Sequence, residues 1–213
     1  MRFVDFHTTQ ASAGARVSYL HSPTKQEGDI LHQKDRQLLL NYDSVMESWR
    51  PEREPRSVLE IGVYWGGSLC MWRMLWAQAR VVGIDIDLGN LSDSARRFFR
   101  ETDITCDQLE MPSPAVGRYG TFDVIVDDGA HGANAVLSAF NLCWPMVNPG
   151  GVYLIEDWHL PAFEPARTAG EVSLSVIGTD HGEHFCDGAF PSESADRVEV
   201  RRRLIAVFKR GIS

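Results

Sequence analysis

Two stretches of the chain combine an apolar run with acidic residues and a histidine, which are side chains that bind divalent metals. They are VIVDDGAH, residues 124–131, and VYLIEDWH, residues 152–159. Both patterns predict buried strands that carry charge at their carboxyl ends, the edge where open α/β sheets place their ligands. Mg²⁺ prefers oxygen ligands in an octahedron and keeps open positions for water or substrate. The sequence therefore predicts a divalent metal site at this edge.

A glycine-rich turn, EIGVYWGGS, follows an earlier apolar run at residues 60–68. Glycines let the backbone pass close to a ligand and enter a helix, whose amino end is electropositive. A dinucleotide fingerprint would place a glycine where Tyr64 stands, which argues against NAD. The next apolar run ends in GIDID, where Asp85, with Asp87 in reserve, is placed to accept hydrogen bonds from both hydroxyls of a ribose. The two features together predict a site for a ribose-containing cofactor.

Helical and strand periodicities alternate along the chain and position these residues. Residues 30–49 carry apolar residues at helical spacing and predict a helix. Beyond them the alternation predicts βαβ units, and hence a Rossmann-like, doubly wound, mainly parallel α/β sheet with helices on both faces. The run RVEVRRRLIAVFKR adds an antiparallel C-terminal strand. We expect residues 1–28 to form a leader or active-site flap and residues 29–213 to form a single domain.

Composition narrows the classes of protein to which the chain can belong. A length of 213 residues with 44% hydrophobic residues suits one domain with a sizeable core. The formal net charge of -8 argues against a nucleic-acid surface. No apolar run approaches the ~20 residues of a membrane span, and the N-terminus lacks the apolar core of a signal peptide, so we expect a cytoplasmic protein. The four cysteines form no CxxC and predict neither a zinc site nor a disulfide framework.

Four segments, VLEIGVYWGGSLCMW, VVGIDID, FDVIVDDGAH and NPGGVYLIEDWH, occur in the order typical of class I S-adenosylmethionine (SAM)-dependent methyltransferases. From about residue 28 to residue 160 the chain resembles that family. Within the family it is similar to the metal-dependent O-methyltransferases of antibiotic biosynthesis, which include macrolide-sugar methyltransferases and the enzymes labelled cephalosporin hydroxylases. The resemblance implies SAM and Mg²⁺ as cofactors and a hydroxylated small molecule as substrate. Relatives are commonly oligomeric, which is compatible with a homo-oligomer.

The resemblance also implies a role for each residue of these motifs. The methionine part of SAM would lie against the glycine turn, whose candidate contacts are Glu60, Gly62, Tyr64, Gly66 and Ser68. Asp85 would hold the ribose and Asp103 would lie near the adenine. The Mg²⁺ ligands would be Asp128, Glu156 and Asp157, with His131 as the general base.

The chemistry of these side chains is consistent with that assignment. Three carboxylates leave about three positions on the ion, and metal binding lowers the pKa of a coordinated hydroxyl. His131 follows Asp128 by three residues and is a base of near-neutral pKa, although it could instead cap the next helix. Because successive strand residues face opposite sides, one of Asp127 and Asp128 faces the metal. Family spacing favours Asp128, and we place Asp127 among the cofactor contacts, with a cap or turn role as its alternative.

Other interpretations stay open from the sequence. The chain could be a metal-independent methyltransferase whose acidic residues position the acceptor, or a catalytically silent cofactor-binding protein. His159 could be a second base or a surface residue, and Trp158 could line the acceptor pocket. His181 and His184 fit a loop near the substrate opening better than a metal site. An N-terminal pattern of some relatives is echoed only in part, at Thr24, Lys25 and His32.

Overall fold

The computed structural model describes residues 1–8, 10–12, 14–49, 54–157, 176–179, 182–185 and 195–211. The chain forms two compact units, Met1–Glu110 and Met111–Ser213. Trp158, His159 and His181, for which the sequence suggests roles, lie outside the described residues. For His184 the structure describes only the backbone. The part of the chain that is described contains no helix both long and apolar enough to cross a membrane.

The first unit begins with a packed segment. A short 3-10 helix spans Phe3–His7, and three strands follow at Gln10–Ser12 (β1), Ala15–Tyr19 (β2) and Ile30–His32 (β3). β1 is antiparallel to β2, and β2 is parallel to β3. Phe3 and Phe6 are buried, so their apolar side chains fix the start of the chain against this unit. The boundary predicted at residue 28 stays a prediction.

The helix predicted over residues 30–49 begins later than expected. Helix α1 spans Arg36–Trp49, and residues 30–32 belong instead to β3. Ile30 and His32 are buried while Leu31 is only partly buried, which is the period-two pattern of a strand. The Asp35 side chain accepts a hydrogen bond from the Leu38 amide, 2.9 Å, and caps the helix there. The prediction is therefore wrong for residues 30–35, because a strand and a cap replace the first helical turns.

The remainder of the first unit alternates strands and helices. Strands β4 (Ser57–Ile61), β5 (Arg80–Asp85) and β6 (Thr105–Gln108) are parallel neighbours, and they are linked by helices α2 (Gly67–Leu75) and α3 (Asp93–Thr102). Every residue of β4 is buried, including Ser57 and Glu60, which is typical of a strand covered on both faces. Ser92 caps α3 by accepting a hydrogen bond from the Ala95 amide.

The second unit has its own sheet. Strand β7 (Phe122–Asp127), helix α4 (Ala133–Cys143) and strand β8 (Val147–Glu156) form a βαβ arrangement, with β7 and β8 parallel. A separate hairpin follows at β9 (Val176–Thr179) and β10 (Gly182–Phe185). Strand β12 (Leu204–Lys209) is antiparallel to β8 and to β11 (Ala195–Arg201). The predicted α/β class, with a mainly parallel sheet and an antiparallel C-terminal strand, is confirmed.

Candidate active site

The glycine turn of the first unit connects β4 to α2. Gly62 and Gly66 have φ angles of 89° and 84°, and Tyr64 between them has 49°. The Gly62 amide donates to the carbonyl oxygen of Ile84, 2.8 Å, which joins the start of the turn to β5. At Gly67 a Cβ atom would lie 2.2 Å from the Leu31 carbonyl oxygen, so only glycine permits this approach. The turn thus leads tightly into the amino end of α2.

Asp85 holds the turn through its side chain. Its Oδ2 accepts hydrogen bonds from the amides of Val63, 2.7 Å, and Tyr64, 2.9 Å. Its Oδ1 accepts from the Asp87 amide, 3.1 Å. Oδ2 already accepts two hydrogen bonds whereas Oδ1 accepts one, so Asp85 retains capacity at Oδ1 to accept from a ribose hydroxyl. The sequence predicts the turn and Asp85 as separate features, and in the structure they are joined by hydrogen bonds.

Glu60, the last residue but one of β4, is fully buried. The Trp72 Nε1 donates to its Oε2, 2.9 Å, and the Lys34 Nζ lies 3.3 Å from its Oε1. Lys34 is itself only 4% exposed. A buried carboxylate requires such partners, because desolvation of an unpaired charge costs several kcal/mol, on the order of 5. Lys34 is a residue that the sequence reasoning missed.

Ser68 and Tyr64 differ in their exposure to solvent. Ser68, in the first turn of α2, is 7% exposed, whereas Tyr64 is 46% exposed. The ring of Tyr64 lies 4.6 Å from that of Trp65, centroid to centroid. The two rings are tilted by 32° and place aromatic surface at the turn.

Asp103 is not brought to this edge of the sheet. It caps the carboxyl end of α3, with φ of 55°, and its carbonyl oxygen accepts from the Arg73 guanidinium. Asp103 precedes β6, whereas Asp85 ends the parallel neighbour β5, so the two lie at opposite ends of their strands. The expectation that Asp103 lies near an adenine is therefore corrected. The β6 residue in register with Asp85 is Gln108.

Asp127 and Asp128, at the end of β7 in the second unit, have different environments. Asp127 is 3% exposed and accepts hydrogen bonds from the Tyr153 hydroxyl, 3.1 Å, and the Gly129 amide, 3.4 Å. Burial raises the pKa of Asp127 to about 7. Asp128 is partly exposed. Asp127 therefore stabilises the turn after β7 from inside the unit, and Asp128 is the acid available to a ligand.

The remaining predicted metal ligands lie around Asp128. Possible ligand atoms of Asp128, His131 and Asp157 are all within 4.8 Å of one another, and so are those of Asp128 and Glu156. His131 Nε2 lies 3.8 Å from Asp128 Oδ1, beyond hydrogen-bond distance. The register of β7 and β8 explains the arrangement, because Asp127 pairs with Ile155 and the next residue of each strand is acidic. The three carboxylates fit a hard divalent cation such as Mg²⁺, and the imidazole of His131 beside them is left available as a base.

Backbone strain marks two residues of this group. His131 and Asp157 have φ angles of 51° and 53°. A non-glycine residue in this region costs about 1–3 kcal/mol, and such residues concentrate at functional sites. Asp157 is also held by Arg203, whose Nε donates to its Oδ1, 2.7 Å. Helix α4 begins after Gly132, and the His131 ring lies near Asp128.

A glycine turn into a helix, with an acidic residue ending the next parallel strand, is typical of α/β domains that bind nucleoside cofactors. Residues 59–158 match the methyltransferase domain family. The resemblance indicated by the motifs of the chain is therefore confirmed.

Curated relatives of the chain are named as O-methyltransferases. The chain is 31% identical over 189 residues to 8-demethyl-8-alpha-L-rhamnosyl tetracenomycin-C 2'-O-methyltransferase of Streptomyces olivaceus, covering 79% of this chain and 49% of that protein. It is 34% identical over 150 residues to demethylmacrocin O-methyltransferase of Streptomyces fradiae, covering 65% and 36%. The chain thus spans about half or less of the length of these relatives.

A solved structure shares the fold. The methyltransferase MycE of the mycinamycin biosynthetic pathway, in complex with Mg and SAH, is 25% identical, with a TM-score of 0.57. The similarity covers 85% of this chain and 52% of MycE.

Proposed function

We propose that this chain is a SAM-dependent, Mg²⁺-dependent O-methyltransferase that methylates a sugar-type hydroxyl of a small-molecule natural product. The observation that carries the proposal is the group formed by Asp128, His131, Glu156 and Asp157 at the ends of two parallel strands. The methyltransferase domain and the sugar O-methyltransferases among the relatives support the choice of donor and acceptor. MycE, which was solved with Mg and SAH, supports the choice of metal.

The first unit would bind the methyl donor. Asp85 is placed for the ribose hydroxyls, and the glycine turn with Gly62 and Gly66 is placed for close backbone contact. Ser68 lies at the amino end of α2, where backbone N–H groups and the helix dipole favour a carboxylate. Glu60 is held by Trp72 and Lys34, and we propose that it fixes the floor of this site.

The second unit would bind the metal and the acceptor. Asp128, Glu156 and Asp157 would be the ligands of Mg²⁺, which when bound lowers the pKa of a coordinated hydroxyl. His131 would accept the hydroxyl proton at Nε2, close to Asp128. These residues orient the acceptor oxygen, and alignment of acceptor and donor contributes much of the rate of such a transfer.

The proposal also covers the kind of substrate that the chain binds and its location in the cell. The net charge of -8 favours a small molecule over nucleic acid as the substrate. We propose a cytoplasmic biosynthetic enzyme that could act as a homo-oligomer.

Calorimetric titration with SAH, NAD and Mg²⁺ tests the two halves of the proposal separately. We expect SAH to bind and NAD to bind far more weakly. Asp85→Asn should weaken the binding of SAH and leave the affinity for Mg²⁺ unchanged, because Asp85 is not one of the proposed metal ligands. Asp128→Asn should lower the affinity for Mg²⁺ by on the order of tenfold or more. Asp196, an exposed acid of β11, supplies the control variant Asp196→Asn.

The outcome also separates the alternatives. Tighter binding of NAD than of SAH would contradict the choice of cofactor. Binding of SAH without Mg²⁺, together with activity in EDTA, would favour a metal-independent methyltransferase. Binding of both without transfer to any hydroxylated acceptor would favour a silent cofactor-binding protein.

A further inference from the structure

Arg203 is joined to Asp157 in two ways. It lies in the turn between β11 and β12, with φ of 67°. Its Nε donates to Asp157 Oδ1, 2.7 Å, and its carbonyl oxygen accepts from the Asp157 amide, 2.9 Å. The side chains are partly buried, 24% and 18% exposed. Arg203 therefore fixes both the backbone and the carboxylate of a proposed metal ligand.

The guanidinium leaves the two oxygens of that carboxylate unequal. Oδ1 receives a charged donor, so a cation on the same oxygen would lie next to a positive charge. The hydrogen bond from the Arg203 Nε is made to Oδ1. A cation bound by Asp157 would therefore be coordinated through one oxygen, because symmetric use of both would require the guanidinium to move away.

One-oxygen coordination distinguishes Mg²⁺ from Ca²⁺. Mg²⁺ takes six ligands in a near-ideal octahedron at about 2.0–2.1 Å. Ca²⁺ takes about six to eight oxygens at longer distances, and it often uses both oxygens of a carboxylate. A carboxylate restricted to one oxygen lowers the number of ligands that the site can offer, which disfavours the larger ion.

We propose that Arg203 determines the metal preference of the site by holding Asp157 in one-oxygen coordination. Arg203 is thus a specificity-determining residue that acts through Asp157. The inference rests on the proposed metal site, since it concerns one of that site's ligands.

The measurement that isolates this effect is a ratio of two affinities. Loss of the guanidinium charge strengthens the binding of every divalent cation by a similar factor, because Mg²⁺ and Ca²⁺ carry the same charge. The ratio of the Kd for Ca²⁺ to the Kd for Mg²⁺ removes this common factor and reports ligand geometry. Arg202, the exposed neighbour in the same turn, supplies a control with the same change in charge.

Calorimetric titration of the full chain with each ion tests the proposal in wild type, Arg203→Gln and Arg202→Gln. We expect the ratio to fall on the order of tenfold in Arg203→Gln, the scale on which groups that orient metal ligands act. We expect no change in Arg202→Gln. The contact from the Asp157 amide to the carbonyl of residue 203 is made by the main chain and survives the substitution. Circular dichroism would check that the variant is folded.

A ratio that is the same in Arg203→Gln and wild type overturns the proposal. If wild type binds neither ion, both this inference and the proposed metal site are wrong, whereas an unchanged ratio with Mg²⁺ bound overturns the inference alone. A second measurement needs no variant. We expect infrared difference spectra with Ca²⁺ to show no two-oxygen carboxylate band that differs between wild type and Asp157→Asn. A two-oxygen band that is present in wild type and lost in Asp157→Asn would belong to Asp157 and would also overturn the proposal.

Discussion

At the scale of single residues, the buried ion pair of Lys34 and Glu60 stabilises the end of β4, where the glycine turn begins. Removal of one partner from a buried ion pair leaves an uncompensated charge, which costs about 3–5 kcal/mol. We expect Lys34→Met to lower the free energy of unfolding by about that amount, measured by urea denaturation. Lys25→Met, at an exposed lysine, is the control and should change it little.

The double variant Lys34→Met with Glu60→Gln separates pairing from packing. The double variant should lose less free energy of unfolding than the two single variants together, because it leaves no unpaired charge buried. Strict additivity would show that the two side chains do not interact.

His32 makes stability depend on pH. Its Nε2 donates to the Phe6 carbonyl oxygen, 2.8 Å, and burial, with smaller contributions from nearby Lys34 and His7, lowers its pKa to about 4. In the unfolded chain the pKa of histidine is about 6.5. Between these values the unfolded state binds a proton that the native state does not, so the free energy of unfolding falls as pH falls from about 6.5 to about 4.

His32→Gln should flatten this dependence, because glutamine can donate to Phe6 without titrating. Urea denaturation at about pH 7.5 and about pH 5 would measure the difference. His21→Gln, at an exposed histidine, should retain the wild-type slope. An equal slope in His32→Gln and wild type would contradict the assignment of the pH dependence to His32.

At the scale of elements, the approach of β3 to α2 depends on Gly67. A Cβ atom there would meet the Leu31 carbonyl oxygen and the His32 amide nitrogen, which are main-chain atoms that a rotamer change does not move. We expect Gly67→Ala to lower the free energy of unfolding by about 1–3 kcal/mol and to weaken SAH binding, since the backbone must shift. Gly117→Ala should be tolerated, because nothing lies within 4 Å of its Cβ position. Thermal unfolding and SAH titration of both variants would check this.

The elements also show what the sequence can predict. Strands β4, β5, β7 and β8 follow from continuous apolar runs, and their acidic ends follow from the shared edge of parallel strands. Strand β3 was missed because its three residues adjoin a helix with a stronger periodicity. The resemblance implies a place near the adenine for Asp103, but the sequence does not show that α3 ends at residue 102 and that Asp103 caps it.

The features of the site that the sequence does not predict depend on contacts between residues that are distant in the sequence. Lys34 gives no pattern of its own, and only the folded unit shows that it reaches Glu60. Arg203 lies 46 residues from Asp157, and a basic run in a turn predicts no particular partner. The choice between Asp127 and Asp128 likewise depends on Tyr153, which lies on another strand.

At the scale of the whole molecule, the two units divide the proposed chemistry. Met1–Glu110 contains the glycine turn and Asp85, and Met111–Ser213 contains the proposed metal ligands and His131. The proposed methyl transfer requires both sets of residues, so loss of either set should abolish activity while the ligand of the other set still binds.

The most direct test of the proposed function is transfer of a labelled methyl group from SAM to a panel of unmethylated glycosylated antibiotics, with Mg²⁺ and with excess EDTA. We predict label on a sugar hydroxyl of at least one acceptor, loss of transfer in EDTA, recovery when Mg²⁺ is restored, and loss in Asp128→Asn but not in Asp196→Asn. Transfer that continues unchanged in EDTA and in Asp128→Asn would contradict the metal-dependent mechanism.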